Sequence, residues 1–591
     1  MPKLWRNIIV VVGEAMQGQR KLNIVPPMLE ALRADAVRAD GEVQEDIQKV
    51  ISMLKTVDNN PYLEHRISLL ENRWLLDEKD GFMPMEYVNI FLDPELCIKN
   101  LRHNLYLAKR YRDKDLLVSV LEQIENTYNE LTLDTNASKV PDIMEEVGVE
   151  LFEICMTMFR VVAKPTLIQF VNFIIDNTYN YARFLQDFPI LKESTPTVPK
   201  GSPNNKYTKK YYQETHKRGK GENVARGIKR AAMSYSITGH LREVDAVVRG
   251  TKVLDKYHGT VTGCFTACDH LGGRSPNTPT NVKVACGYFN ALQSLFQITQ
   301  DLSIADRMEL MACNLLPSYF KDGKIQVMQS SNQINLDEEF RSWRYAEVKN
   351  KSFYEPSEKP EELAAIADSL GLFVRSFWMK REHGGIALIF PFACKAVFNI
   401  DGHKVAVSVT GDYPYGEDIE IKICTKEPVN FPIYIRIPGY CSGAGVSVNK
   451  EAMQPAMSDT FYTVSRTFKN GDRIKLHLPS SMKINKFYRR SCTIYKGSVI
   501  YALKQDDHTK KFDNYAIDLQ MNPSITEDRK MHITGYSFKG NYTPKTQIAL
   551  MPECDLSAPI NLELVPYRSI TNRIAQFPSI DSSEAPMESE Y

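Results

Sequence analysis

The hydrophobic period of the chain changes near residue 382, and that change bounds what the chain can fold into. Before it, apolar residues recur every three or four positions. Ile304, Met308, Met311 and Leu315 share one face of 303–320, and Phe289, Leu292, Leu295 and Phe296 form a similar stripe just upstream. A short "QDLS" turn separates the two stripes, which predicts an antiparallel helical pair. Further helices are predicted over 98–130 with an internal break, over 146–192 in two or three pieces, and over 234–258. After residue 382 the period is two. "IEIKI" (419–423), "IYIRIPG" (433–439) and "RIKLHLP" (473–479) alternate aliphatic with polar or charged residues, and "NIDGHKVAVSV" carries an Asp-Gly hairpin signal. Alternation of this kind gives one wet face and one buried face, hence sandwiches of antiparallel strands. Strands and helices do not alternate along the chain, which argues against a Rossmann or β/α-barrel enzyme. The predicted architecture is a multidomain α + β chain with a helical domain over 1–381, a β-sandwich over 382–500 and a smaller β-rich domain over 501–591.

A chain of 591 residues, 43% hydrophobic and 25% charged, has the composition of a globular protein of two or three domains. Its formal net charge of +1 supplies no global field for nucleic acid or an anionic membrane. The basic run "KYTKKYYQETHKRGKGE" (206–222) has no nucleic-acid module around it and is predicted to be a solvated loop, continuing the Pro-, Ser-, Asn- and Lys-rich stretch 192–210. No stretch approaches 18 unbroken apolar residues, and the run Ile8–Val12 is too short for a signal core or a membrane span. The expected location is cytoplasmic for the chain as it stands, and periplasmic or secreted if a signal peptide was removed. The cysteine count, 11, is odd and sparse, which predicts reduced, partly buried thiols.

Phosphate-binding, zincin and serine-hydrolase motifs (G-x-x-x-x-G-K-[ST], H-E-x-x-H, G-x-S-x-G) are absent, as is G-x-G-x-x-G after a strand. The stretch richest in chemistry is "HGTVTGCFTACDHLGG" (258–273), with His258, Cys264, Cys268, Asp269 and His270 among glycines. A structural zinc site would want a second tight pair of ligands, and the next cysteine, Cys286, lies in a predicted helix. The cysteines are expected to pack as small hydrophobes. Asp269, in a glycine-rich loop between helices, is placed to line a cavity, where partial burial would raise its pKa toward general-acid use.

Several stretches occur in the order found in one family. They are "GENVARGIK" (221–229), "YHGTVTGCFTACDHLGGRSPNTPT" (257–280), "ITQDLSIADRMELMACNLLP" (298–317), "SSNQINL" (330–336), "RSFWM" (375–379), "GDYPYGEDIEI" (411–421), "IYIRIPGY" (433–440), "FKNGDRIKLHLP" (468–479) and "YKGSVIYALK" (495–504). Over about 215–505 the chain resembles the beta-L-arabinofuranosidase-type glycoside hydrolases, as a divergent branch. The resemblance implies an (α/α)6 barrel followed by antiparallel β-sandwich domains, acting on a terminal sugar of a plant or microbial glycan. It implies a glutamate acid/base and a cysteine nucleophile held in a zinc site with a glutamate and further cysteines. Carried over by position, the acid/base falls on Asp269, the metal-binding glutamate on Asn281 and a metal-binding cysteine on Lys283. The nucleophile's cysteine pair falls on Pro360, Glu361 or Glu362.

A thiolate-rich zinc site cannot be assembled from Asn281, Lys283 and a glutamate, so neither a metal nor another cofactor is expected. Glycoside hydrolysis then requires two carboxyl groups, about 5–5.5 Å apart for retention and about 6.5–9.5 Å for inversion. Asp269 would be the acid and Glu361 or Glu362 the base or nucleophile, with Lys283 keeping one carboxylate ionised. The alternative for Glu361 and Glu362 is an ordinary first turn of a surface helix behind Ser357 and Pro360. Sugar hydroxyls are assigned to His258, Asn332, Gln333, Glu222, Asn223, His270 and Lys283. The leading expectation is a metal-independent glycoside hydrolase; the alternative is a catalytically degenerate carbohydrate-binding or assembly protein on the same fold. The expected partner is an oligosaccharide or glycan end, with no nucleic acid and no membrane span, and a homodimer is an allowed assembly.

Overall fold

A computed structural model of the chain describes residues 27–57, 61–71, 83–192, 194, 202–203, 205–336, 339–340, 350–351, 353–382, 384–487, 491–506, 513, 515–520, 523–526, 528–538 and 556–580. The apolar run at 8–12 and most of the stretch 193–204 lie outside these residues.

Six helices close a ring: Pro61–Leu70, Pro94–Arg110, Val140–Val162, Gly221–Thr238, Val282–Thr299 and Pro360–Arg375. Each packs against the next, and the last packs against the first. Outside them, Gly41–Lys55, Lys114–Thr132, Pro165–Asn177, Arg242–His258 and Leu302–Leu310 each pack against a ring helix. This double ring is of the (α/α)6-barrel type, with these five outer helices among the described residues. The helices start where the local chemistry starts them. Asp93 accepts from the Leu96 N–H at 2.9 Å ahead of Pro94, and Asn281 accepts from the Lys283 N–H at 2.8 Å.

Two local expectations change. The helix expected over 234–258 is two helices, because Gly239 takes a left-handed φ of +70° and ends the first of them. The basic run expected as a loop is instead the helix Lys206–Arg218, capped by Asn205 and without a buried residue. Its lysines are solvated as expected, but on helical backbone.

The β-rich part begins with two facing sheets. One orders Leu29–Ala31, Trp378–Arg381, Ile386–Leu388, Val429–Ile437 and Thr460–Phe468. The other runs from Gln454–Pro455 through Gly445–Val448, Arg473–His477, Asp418–Thr425, His403–Thr410 and Cys394–Ile400 to Val37–Ala39. The alternation behaves as read: Ile419, Ile421 and Ile423 are buried, while Lys422 is exposed. Asp401 and Gly402 both take positive φ in the tight turn between two antiparallel strands. Pairing is not uniformly antiparallel, since Ile386–Leu388 runs parallel to Val429–Ile437. A third, ten-stranded sheet gathers most strands after residue 482 and also takes in Asn332–Gln333, which pairs with Arg573–Ile574.

A candidate sugar site at the barrel mouth

The ring encloses a cavity of about 1190 Å³. At one end the first turns of the inner helices converge, bringing Glu95, Lys99, Glu222, Lys283 and Glu361 to its wall. Glu361 sits between two ammonium groups, with Lys99 Nζ 2.5 Å from Oε1 and Lys283 Nζ 2.8 Å from Oε2. Those two hydrogen bonds, Lys283 first, depress the Glu361 carboxyl to about 2. Burial pulls the Lys283 ammonium down, but Glu361 outweighs it and the net shift is upward. Deeper in, Arg226 lies 3.5 Å from Glu150 and 3.8 Å from Glu222, and Glu153 lies 2.5 Å from Lys229 and 3.9 Å from Arg102. Burial raises the Glu153 carboxyl; Lys229 and Arg102 outweigh it and hold it below the usual range.

Asp269 lies on the rim of the same end, where its carbonyl accepts from the Gly221 N–H at 2.7 Å. Its carboxylate is 64% exposed, does not line the cavity, and pairs with His270 Nδ1 at 2.9 Å. The expected upward shift is reversed, because the His270 hydrogen bond stabilises the charged form. His270 stacks on His216, ring centroids 3.7 Å apart, and also stays outside the cavity lining. Glu362 is separated from Glu361: it turns away from the cavity, 3.9 Å from Lys359. Glu222 lines the cavity, whereas Asn223 is buried and donates to Glu145 at 3.1 Å.

Three residues assigned to sugar hydroxyls are committed to the protein itself. His258 is fully buried; its Nε2 donates to the Ile190 carbonyl at 2.7 Å and its Nδ1 accepts from the Gly273 N–H at 2.9 Å. No ring nitrogen is left for a ligand. Asn332, 1% exposed, donates to the Gln576 carbonyl and accepts from the N–H groups of Ala575 and Gln576. Gln333, 2% exposed, accepts from the Ser330 N–H at 3.0 Å. These groups pin the loop 259–273 and the segment 330–333; they do not face the mouth.

His258 gives a pH prediction. Burial lowers its pKa from 6.5 to about 4, so the unfolded chain takes up this proton before the native one does. Its contribution is complete above pH 6.5 and is lost as pH falls toward 4, about 3 kcal/mol in all at ~1.4 kcal/mol per unit. Glu361 acts in a lower window, complete above 4.5 and lost toward 2. Denaturant unfolding across pH 4–7 should show a steeper fall in wild type than in His258→Gln, where His103 and His216, also lowered by burial, still contribute. Parallel curves for the two proteins would contradict the burial of the imidazole.

The donors do not suit a zinc-thiolate group. Asn281 uses its side-chain oxygen as a helix cap, Lys283 brings an ammonium, and burial pushes the Cys264 and Cys286 thiols up to about 12. Among the described residues no group of three or more His, Cys, Asp or Glu side chains is arranged to hold a metal ion. The position onto which the resemblance projects a metal ligand and the nucleophile thus carries the Lys283–Glu361 ion pair.

Sequence reasoning missed Lys99, Arg226, Glu150 and Glu153. A signal was present: Glu146, Glu150 and Glu153 recur at spacings of four and three on the helix Val140–Val162, as Arg226 and Lys229 do on Gly221–Thr238. A charged stripe at helical spacing normally reads as a solvent face. Here it faces the inside of a ring.

Residues 389–480 match the family model described as beta-L-arabinofuranosidase, GH127 middle domain. Among solved structures, one described as a glycoside hydrolase superposes with a TM-score of 0.65 at 14% identity, over 94% of this chain and 98% of the other. A GH127 beta-arabinofuranosidase gives 0.60 at 14% identity, over 94% and 98%. A GH127 beta-L-arabinofuranosidase from Geobacillus stearothermophilus T6 gives 0.57 at 14% identity, over 92% and 100%. No curated protein sequence matches the chain. The chain thus shares the fold of these solved structures. Residues 389–480 resemble the GH127 middle domain, and these matches support the arabinofuranosidase-type family resemblance read from the sequence.

Proposed function

We propose that the barrel mouth binds the terminal sugar of a glycan and that the hydrolytic chemistry of the fold has been lost. The observation that carries this is the Lys99–Glu361–Lys283 clamp. Each Glu361 oxygen accepts from an ammonium group, which lowers the basicity of the carboxylate and so weakens it as a base or nucleophile. A general acid needs a proton, and Asp269 is held ionised by His270. What remains is a large cavity whose mouth presents carboxylates and ammonium groups, a donor and acceptor set suited to sugar hydroxyls. No helix among the described residues is long and apolar enough to cross a membrane.

Hydrolysis is the second reading, favoured by Asp269 lying at the same end of the barrel as Glu361. Calorimetric titration with a panel of glycan ends, beside turnover of the matching aryl glycosides, separates the two. Binding without turnover is expected, with affinity at least ~10-fold weaker in Lys283→Glu and unchanged in Asp269→Asn. Turnover that falls by ~10² in Asp269→Asn would instead establish hydrolysis through that carboxyl group.

A further inference from the structure

One wall of the cavity carries a stripe of neutral polar groups. On the inner helix Val282–Thr299, Asn290, Gln293 and Gln297 recur at spacings of three and four, so they share one face, and all three line the cavity. Lys283 begins the same wall at the mouth. At a rise of about 1.5 Å per residue, Asn290 lies about 10 Å below Lys283 and Gln293 about 15 Å, roughly two to three sugar rings deep. Two polar atoms of the stripe are buried without a hydrogen-bond partner, Asn290 Oδ1 and Gln293 Nε2, and Gln293 is 4% exposed. Such a buried, unmatched atom is destabilising, and a ligand that pairs with it relieves the cost. On three other inner helices the charged groups pair with one another, Arg226 with Glu150, and Glu153 with Lys229 and Arg102. The cavity volume of about 1190 Å³ exceeds the roughly 300–1,000 Å³ typical of a pocket for one small ligand, so it has room for more than one ring.

We propose that the amide stripe is a second subsite below the mouth, so that the cavity takes the end of a neutral oligosaccharide lengthwise. The terminal ring lies against Asn290 and Gln293, and the next ring takes the Lys99–Glu361–Lys283 clamp. The inference rests on the glycan-binding reading and lengthens its ligand from one ring to at least two. A sugar hydroxyl both donates and accepts, so one ring supplies a donor to Asn290 Oδ1 and an acceptor to Gln293 Nε2. A lone sugar stays at the clamp, because hydrogen bonds to charged groups are stronger than those to neutral amides.

The test is titration of the full chain with two length series, glucose to cellotriose and xylose to xylotriose. In at least one series affinity is expected to rise at least ~10-fold from monosaccharide to trisaccharide, and the gain should persist at high salt because the added contacts are neutral. The double variant Asn290→Leu with Gln293→Leu should erase the gain and leave the monosaccharide's affinity unchanged, while Gln293→Asn alone keeps part of it. A matching thermal midpoint confirms that the variants fold. Equal affinities along both series in wild type, a gain that survives in the double variant, or a loss of monosaccharide affinity as large as that of the trisaccharide would each overturn the second subsite. Binding of no member of either series would sink the glycan-binding reading itself.

Discussion

Arg436→Met is expected to destabilise the protein by about 3–5 kcal/mol, the typical cost of stripping one partner from a buried ion pair. Arg436 and Glu309 both have side chains with 0% exposure. Arg436 Nη1 donates to Glu309 Oε2 at 2.7 Å and to the Ile389 carbonyl at 2.9 Å, and Nη2 donates to Asp306. Tyr440 donates to Glu309 at 2.9 Å, and Tyr413 donates to the same oxygen. Glu309 and Asp306 stand on the outer barrel helix Leu302–Leu310, and Arg436 on the sandwich strand Val429–Ile437. The cluster is therefore a polar joint between barrel and sandwich. Removing the guanidinium leaves the Glu309 charge buried with only hydroxyl partners. The double variant Arg436→Met with Glu309→Leu should recover much of the loss, because it removes both desolvated charges. Denaturant unfolding of the three variants checks this. A loss below about 1 kcal/mol in Arg436→Met would mean that water reaches the pair.

Gly227→Ala carries the second large effect, and its sign distinguishes packing from propensity. On helix propensity alone the substitution should stabilise an inner helix by about 1 kcal/mol. In the fold, a Cβ at residue 227 would lie 2.1 Å from Cγ of Tyr181 and 2.4 Å from its Cβ. Tyr181 is itself 3% exposed and wedged edge-on against Tyr179 and Phe184, so its ring has nowhere to retreat. Overpacking of this kind costs typically about 1–3 kcal/mol, and the near-coincidence of atoms here places the expected loss at the top of that range. Gly371→Ala is the control. It also lies in an inner helix, but its nearest neighbour would be Leu70 Cδ2 at 3.5 Å, an ordinary contact. That variant should be neutral or slightly stabilised. Thermal midpoints moving in the same direction for the two would show that the barrel wall is not packed as described.

Much of the architecture was legible in local pattern. The heptad-like stripes of 289–296 and 304–315 became buried helix faces, and the Asp-Gly signal became the turn at 401–402. The Ile-charge alternation of 419–423 became a strand with one wet side. These features depend on periodicity, and a period of 3.6 or 2 is written in neighbouring residues. The strands Leu29–Ala31 and Val37–Ala39 were not legible. Each is three residues long, and each exists because a partner more than three hundred residues away offers a free edge.

The candidate site divides the same way. The sequence determined which chemistry is available: it put Asn281 and Lys283 at the positions onto which the family resemblance projects a carboxylate and a thiolate, and neither residue type suits that set. It could not determine direction. Glu361 and Glu362 are adjacent first-turn acids of one helix, equivalent to any local rule, yet only the first reaches the cavity. Periodicity marks a charged face without saying whether water or a ring interior lies beyond it. Closure of six helices turned the stripes containing Glu150, Glu153 and Arg226 inward. His258 and Asn332, polar and apparently suited to a ligand, were consumed by backbone groups that only the folded chain brings near. Hydrogen-bonding capacity is a property of the residue. Whether any of it is left over is decided by which distant backbone packs against it.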